Sequence, residues 1–446
     1  MSFEMDEMNK RRKERQSRQN ERLQQERRTR MRLLVALAVL VLCGILIIAV
    51  SLGGGNDQPG ETTVSTTLPV QITAPVETQP QSPTTVITLA AAGDLNITDA
   101  VVAAGGMGYD YTNTFMDVLP QLAQADLTVM NFEGNACGAP YGKDSAPQQL
   151  LMALKGIGVD MLQLANSKAV NRGVAGLNAT VRNVRAAGMA SVGAVAEGET
   201  PGAYVIRYVR GVKVAIVAFT KGLDGMAMPA GSEDLVNILY NDYASTYKSV
   251  NTKAVTKLLR QVQEEEPDIT IAMLHWGSEY SDIHSKSQTA VKELMFKEGV
   301  DAIIGSHPHY VQEIEFNKND GTLVAYSLGD FFGDATRSGT AYSVILELEI
   351  TKDNTTGITK VTNFSYTPIY TAYDDTGLLR VVRLREAIAA YDASRVGRVT
   401  EETYESMLYG LKRIEARINP QKETEAATEE TTTETTETTT ETSAPQ

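Results

Sequence analysis

Apolar and polar positions follow two rhythms between residues 86 and 418. Short apolar runs at 86–92, 126–130, 159–165, 189–193, 269–274 and 300–304 have the length of buried strands. Between them, Leu177, Val181 and Val184 recur at helical spacing, so 175–187 reads as a helix closed by Gly188. Helices are also predicted at 115–125, 151–157, 247–263 and 288–297. Residues 204–208 and 212–219 flank Arg210-Gly211 as a hairpin, and 311–316 and 322–328 flank the turn 317–321 as another. Strands at 342–350 and 361–370 follow, then helices at 380–390 and 402–417. Strands alternate with helices early and hairpins come late. This predicts an α/β sandwich with mixed sheets inside and helices outside. The Gly- and Met-rich stretch 221–232 reads as a loop able to cover a cleft.

Both ends break the pattern. Residues 33–52, LLVALAVLVLCGILIIAVSL, are almost wholly apolar and long enough for one transmembrane helix. The polar leader 1–32 carries more Lys and Arg than Asp and Glu, which keeps it cytoplasmic under the positive-inside rule. Its length, and the lack of a small-residue cleavage site, set it apart from a cleaved signal peptide. Residues 53–85 are a Thr/Pro-rich linker, and 419–446 a Glu/Thr-rich tail that cannot bury a core. The expected organisation is a single-pass cell-membrane protein, N-terminus cytoplasmic, with one extracytoplasmic domain at 86–418.

Charge narrows the partners. The chain of 446 residues has a formal net charge of −14, much of it in the tail, which argues against nucleic acid. Cys43 lies in the apolar run and Cys137 far away in a polar loop, so there is no disulfide framework.

The candidate chemistry lies at strand ends. All four histidines fall between His275 and His309. His307 and His309 flank Pro308 just past the strand 300–304, while His284 sits in a polar run and reads as a surface residue. Asp94, Glu133, Asn166, Lys168 and His275 also follow predicted strands, where open α/β sheets bind ligands. Two carboxylates, an amide oxygen and three imidazoles suit Zn, Mn or Fe. Such a set can hold two ions about 3.5–4 Å apart and clamp a phosphoryl group. There is no P-loop, nucleophile elbow or Cys-x-x-Cys.

Several motifs together resemble the CapA family of poly-γ-glutamate capsule biosynthesis proteins. They are Ala92-Gly93-Asp94, Asn131-Phe132-Glu133, Ala165-Asn166, His275-Trp276-Gly277-x-Glu279-Tyr280, Gly305-x-His307-Pro308-His309-x-Val311-Gln312 and Tyr326-Ser327-Leu328-Gly329-Asp330-Phe331. They run in family order over about residues 86–375. The resemblance implies a multilayer α/β/β/α sandwich of the metallophosphoesterase type. It implies metal ligands at Asp94, Glu133, His275, His307 and His309, with Asn166, Trp276, Glu279 and Asp330 lining the site. One motif departs: where the family carries Asn-His, this chain has Ser167-Lys168, and the family's aspartate is Asn171. Lysine is a point charge rather than a ligand or proton shuttle near neutral pH. The expectation is one divalent ion (Zn, Mn or Fe), with the Lys168 ammonium among Asp94 and Glu133 in place of a second. Lys168 and His275 are the residues any catalysis would use.

Three functions follow as expectations. The first is an envelope protein assisting synthesis, export or anchoring of an anionic capsular polymer such as poly-γ-glutamate, alongside other polymer-synthesis subunits. The second is a metal-dependent hydrolase of a phosphoester or of the polymer. The third is a non-catalytic interaction module. An acidic chain is a poor general match for a polyanion, so a metal or a local patch (Lys168, Arg172, Lys221) would be needed.

Overall fold

The computed structural model describes residues 82–200, 204–374, 376–393 and 399–418. The leader 1–32, the apolar run 33–52, most of the linker and the tail 419–446 lie outside the described residues. Among the described residues, no helix is long and apolar enough to cross a membrane.

The first four strands of the described residues are β1 (Thr84–Asn96), β2 (Leu127–Glu133), β3 (Met161–Gln163) and β4 (Ala190–Val192). They lie side by side in parallel. A second sheet follows: β5 (Tyr204–Val209), β6 (Val212–Thr220), β7 (Ile269–His275), β8 (Ala302–Ser306), β9 (Ile314–Asn317) and β10 (Thr322–Ala325), in the order β5-β6-β7-β8-β10-β9. The chain then returns to the first sheet with β11 (Asp330–Phe332), β12 (Tyr342–Asp353), β13 (Thr359–Tyr373) and β14 (Leu379–Arg383). β12 pairs antiparallel with β1, and β11 pairs parallel with it, setting Asp330 opposite Asp94.

Alternation along the second sheet sorts its side chains. Val214, Ile216, Ile271, Met273 and Ile304 join the core shared with the first sheet. Val217, Phe219, Leu274 and Ile303 face Val255, Leu259 and Met295 of the helices Thr252–Glu264 and Lys286–Lys297. Helices Gln148–Gly156, Gly173–Ala186, Leu384–Asp392 and Glu401–Ile418 cover the first sheet. The result is the expected order of helix, sheet, sheet, helix.

Three expectations change. The 115–125 helix is instead a short helix Thr112–Phe115, a 3-10 turn Met116–Val118 and a helix Leu119–Ala123. Pro120 has no N–H to donate and sits in the first turn of that last helix, where none is needed. Residues 379–383 are a strand rather than the start of a helix, because Val381-Val382 pair with β13 and Leu379 and Val381 are buried. β1 starts at Thr84, inside the expected linker 53–85, and runs past Asp94 instead of ending before it.

Candidate metal centre

The carboxyl ends of β1, β2, β7 and β8 converge, and β11 adds Asp330 beside them. Gly93 makes the β1–β11 approach possible: a Cβ there would meet Gly329 O at 1.9 Å, and the next amide, Asp94 N, donates to that oxygen at 2.9 Å. Asp94, in β1 rather than just past it, is fully buried. Its Oδ1 accepts from Asn131 Nδ2 at 2.5 Å and its Oδ2 from the His307 amide at 2.9 Å. Glu133, the last residue of β2, is also buried and accepts from Ser167 Oγ at 2.9 Å. His275 ends β7, with its Nδ1 3.1 Å from Ser306 Oγ and 3.4 Å from Asn131 Nδ2.

The His-Pro-His turn is held in unusual backbone conformations. His307 has φ 91° and His309 φ 59°, both in the region non-glycine residues avoid. Contacts on each side hold it there: Asp94 takes the His307 amide, the Tyr280 amide donates to Pro308 O at 2.8 Å, and Asp330 Oδ1 lies 2.7 Å from His309 Nδ1. Strain of this kind persists where surroundings over-determine it, commonly at functional sites.

The donor atoms fit a cation. Glu133 Oε2, His275 Nε2 and His307 Nδ1 are buried without a hydrogen-bond partner. Buried polar atoms normally have one, so three orphans in one place call for a ligand. Glu133, His307 and His309 offer ligand atoms within 4.8 Å of one another, as do Asp94, His309 and Asp330. His275 Nε2 lies 3.9 Å from Glu133 Oε1, and His309 Nε2 3.9 Å from Glu133 Oε2.

Electrostatics points the same way. Burial and the Glu133 charge push Asp94 up to about 7, so the cluster is short of positive charge. Burial likewise raises Asp330, against the pull of His309. Burial, then the His309 charge, holds His275 well below an ordinary histidine; burial and His275 do the same to His307. Both are therefore neutral, as a metal ligand must be. His309 is held well above an ordinary histidine, because Asp330, Glu133 and Asp94 outweigh the cost of burial, so an ion binding there would have to displace its proton.

Lys168 sits on the Glu133 side of the site. Its Nζ lies 3.8 Å from Glu133 Oε1 and donates to Asn96 Oδ1. Among the described residues the ammonium pairs with Glu133 and Asn96 and makes no ion pair with Asp94, so it does not bridge the two carboxylates as expected. Burial opposes the Lys168 charge, but Glu133, Asp330, Asp224 and Asp144 outweigh it and keep the ammonium protonated. Burial alone would raise Glu133, yet Lys168, His309 and His307 bring it below its usual range.

Other expected residues divide. Asn166 braces the floor, donating to Phe132 O at 2.6 Å. Asp330 orients His309, and Glu279 lines a cavity of about 280 Å³ alongside Ser167 and His307. Trp276 is not at the site wall: it is buried under the helices, its Nε1 donating to Tyr326 O at 2.9 Å. His284 stacks on Tyr326 at 3.9 Å, away from the centre. Sequence reasoning passed over Asn131, which touches both Asp94 and His275. An amide inside a strand buried at every position was the available signal.

The profile of the family described as "Bacterial capsule synthesis protein PGA_cap" matches residues 88–335. The "Capsule biosynthesis protein CapA" of Bacillus anthracis is 29% identical over 263 residues, 57% of this chain and 61% of that protein. The "PGA biosynthesis protein CapA" of Bacillus subtilis (strain 168) is 26% identical over 265 residues, 57% of this chain and 64% of that protein. The chain thus covers less than two thirds of either curated relative. Among solved structures, the calcineurin-like phosphoesterase YfkN from Bacillus subtilis is 19% identical, with a TM-score of 0.40 over 64% of this chain and 91% of its own. A phosphatase of Mycoplasma pneumoniae is 12% identical, with a TM-score of 0.39 over 64% of this chain and 94% of its own.

Proposed function

The chain belongs to the bacterial capsule synthesis protein PGA_cap family, matched over residues 88–335, and from that premise we propose that it assists synthesis, export or anchoring of an anionic capsular polymer such as poly-γ-glutamate. In this reading it is a single-pass cell-membrane protein, N-terminus cytoplasmic, whose extracytoplasmic domain has the metallophosphoesterase type of fold and works beside other polymer-synthesis subunits. Asp94, Glu133, His275, His307 and His309 hold one divalent ion, Zn, Mn or Fe. The observation that carries the metal centre is that Glu133 Oε2, His275 Nε2 and His307 Nδ1 are buried and unpartnered on side chains that meet at Glu133.

An ion held there supplies Lewis acidity toward a phosphoryl or carbonyl oxygen. The chain's own residues do the remaining work. Asn131 and Ser306 fix the His275 ring, and Asp330 fixes the His309 ring. Such outer partners decide which ring nitrogen is free to bind. Ser167 and Lys168 hold Glu133. Lys168 stays an ammonium, so it stabilises negative charge in the site and does not carry a proton. A hydrolytic role, on a phosphoester or on the polymer, is a second reading, favoured by the cavity that His307 lines.

Metal content tests the centre. The purified full chain is expected to carry close to one Zn, Mn or Fe, lost in His307→Ala and His309→Ala. No uptake of any of the three on dialysis would overturn the metal reading. Metal without turnover of a generic phosphodiester would leave the assembly role and remove the hydrolase. Deleting the coding sequence is expected to reduce surface polymer, restored by the wild type but not by His307→Ala. Unchanged polymer would overturn the capsule role.

A further inference from the structure

The cavity beside the metal centre has a charge pattern that the metal does not use. It encloses about 280 Å³, at the small end for ligand pockets, and so suits one residue-sized group. Lys221, Asp224, Tyr247 and Glu279 line it, and His307 and Ser167 bound it on the metal side. Lys221 Nζ donates to Gly277 O at 2.7 Å and lies 4.5 Å from the centre of the Tyr247 ring. An ammonium has three N–H donors. Those two contacts fix its place and leave donor capacity for a ligand.

Asp224 and Glu279 lie on the same cavity, and both carboxylates act on Lys221; Asp224 also feels Glu133, Glu279 and Lys168. A bare phosphate or carboxylate would gain Lys221 and meet two like charges. A ligand bearing both signs would satisfy all three groups.

We propose that this cavity is a subsite for a zwitterionic amino-acid head, the end of a chain that carries a free α-ammonium and an α-carboxylate. Lys221 takes the carboxylate, Asp224 and Glu279 take the ammonium, and the side-chain amide of a γ-linked residue extends past His307 toward the metal centre. This rests on the polymer reading above and specifies which end of the polymer the domain holds. The His307 ring, 4% exposed with an unpartnered Nδ1, joins the subsite to the metal centre.

Calorimetry on the full chain in detergent tests the subsite with γ-glutamylglutamate, its N-acetyl derivative and inorganic phosphate. The free dipeptide is expected to bind one per chain, and acetylation to weaken it by about tenfold or more, from loss of a charge-assisted bond. Lys221→Met is expected to weaken the free dipeptide by about 10- to 100-fold. Glu279→Gln, on an exposed side chain, is expected to shrink the difference between free and acetylated forms. Equal binding of the two forms by the wild type would overturn the proposal. So would phosphate binding more tightly than the dipeptide, or Lys221→Met binding unchanged. Repeating the titration in chelator separates the two readings. Dipeptide binding without metal uptake overturns only the metal centre, and metal uptake without dipeptide binding overturns only the subsite.

Discussion

Among the described residues, Lys168→Met removes the lysine ammonium paired with Glu133, and the consequence can be sized. The two groups are 3.8 Å apart, with side-chain exposures of 20% and 1%. At an effective dielectric constant of about 20, opposite charges at that separation attract by about 4 kcal/mol. Two effects reduce this. The lysine no longer has to be desolvated, and Ser167 and His309 still support the carboxylate. A net loss of about 1–3 kcal/mol in metal-free protein is the expected result, below the range for breaking a fully buried pair. For a domain of this size that is about 1–4 °C in Tm. With metal bound the loss should shrink or vanish, because the ion replaces the ammonium as counter-charge, and metal affinity should rise by about tenfold as a competing cation leaves. Thermal unfolding of wild type and variant, in chelator and in saturating Zn, reads both effects. An equal drop in Tm with and without metal would refute the reasoning. So would no drop in chelator.

Other outcomes follow from the same geometry. In chelator, stability should fall as pH rises, in two windows. Asp94 is pushed up to about 7, so it favours the folded state while protonated and loses that contribution between about pH 4 and 7; His309, held well above an ordinary histidine, loses its contribution from about pH 6.5 upward. His275 and His307, held low, act in the opposite direction only below their ordinary value of 6.5. Asp94→Asn should flatten the slope below about pH 7 and leave the His309 fall above it, as seen by Tm against pH. Gly305→Ala should cost about 3 kcal/mol or more, because the new Cβ would stand 2.0 Å from Tyr326 O; soluble yield and circular dichroism check it. Trp276→Phe should cost about 1–3 kcal/mol by stranding Tyr326 O while leaving metal content unchanged, since the indole faces the helix-covered core.

Much of the fold and the site could be read from the sequence, and the rest failed for identifiable reasons. Glu133, His275 and His307 were legible because each closes or follows an apolar run, so a polar side chain there has nowhere to go but a strand-end site. Asn131, although it lies in the Asn131-Phe132-Glu133 motif, was less legible because it sits within such a run, where an amide among uniformly buried positions is the local signal. Asp330 was placed at the site through the family resemblance, but its pairing with His309 was illegible for another reason. β11 is three residues long, too short to show a period, and its pairing with β1 is a long-range fact. β14 was mistaken for helix because its five residues run straight into one. Lys168 was expected between two carboxylates, but its stem instead runs toward Asn96, a residue no motif marked.

The parallel pairing of Asp94 with Asp330 also dictates when the centre comes into being. Contacts between distant parts of a chain close late, since the loop entropy must be overcome first. His309 is oriented only after Asp330 arrives, and the His307 amide finds its acceptor only when Asp94 is in place. A half-folded chain therefore holds these histidines and carboxylates as scattered, weak donors. Under the proposed metal reading, ion capture would come late in folding, and a chain that had loaded its ion would, by that fact, have joined β11 to β1.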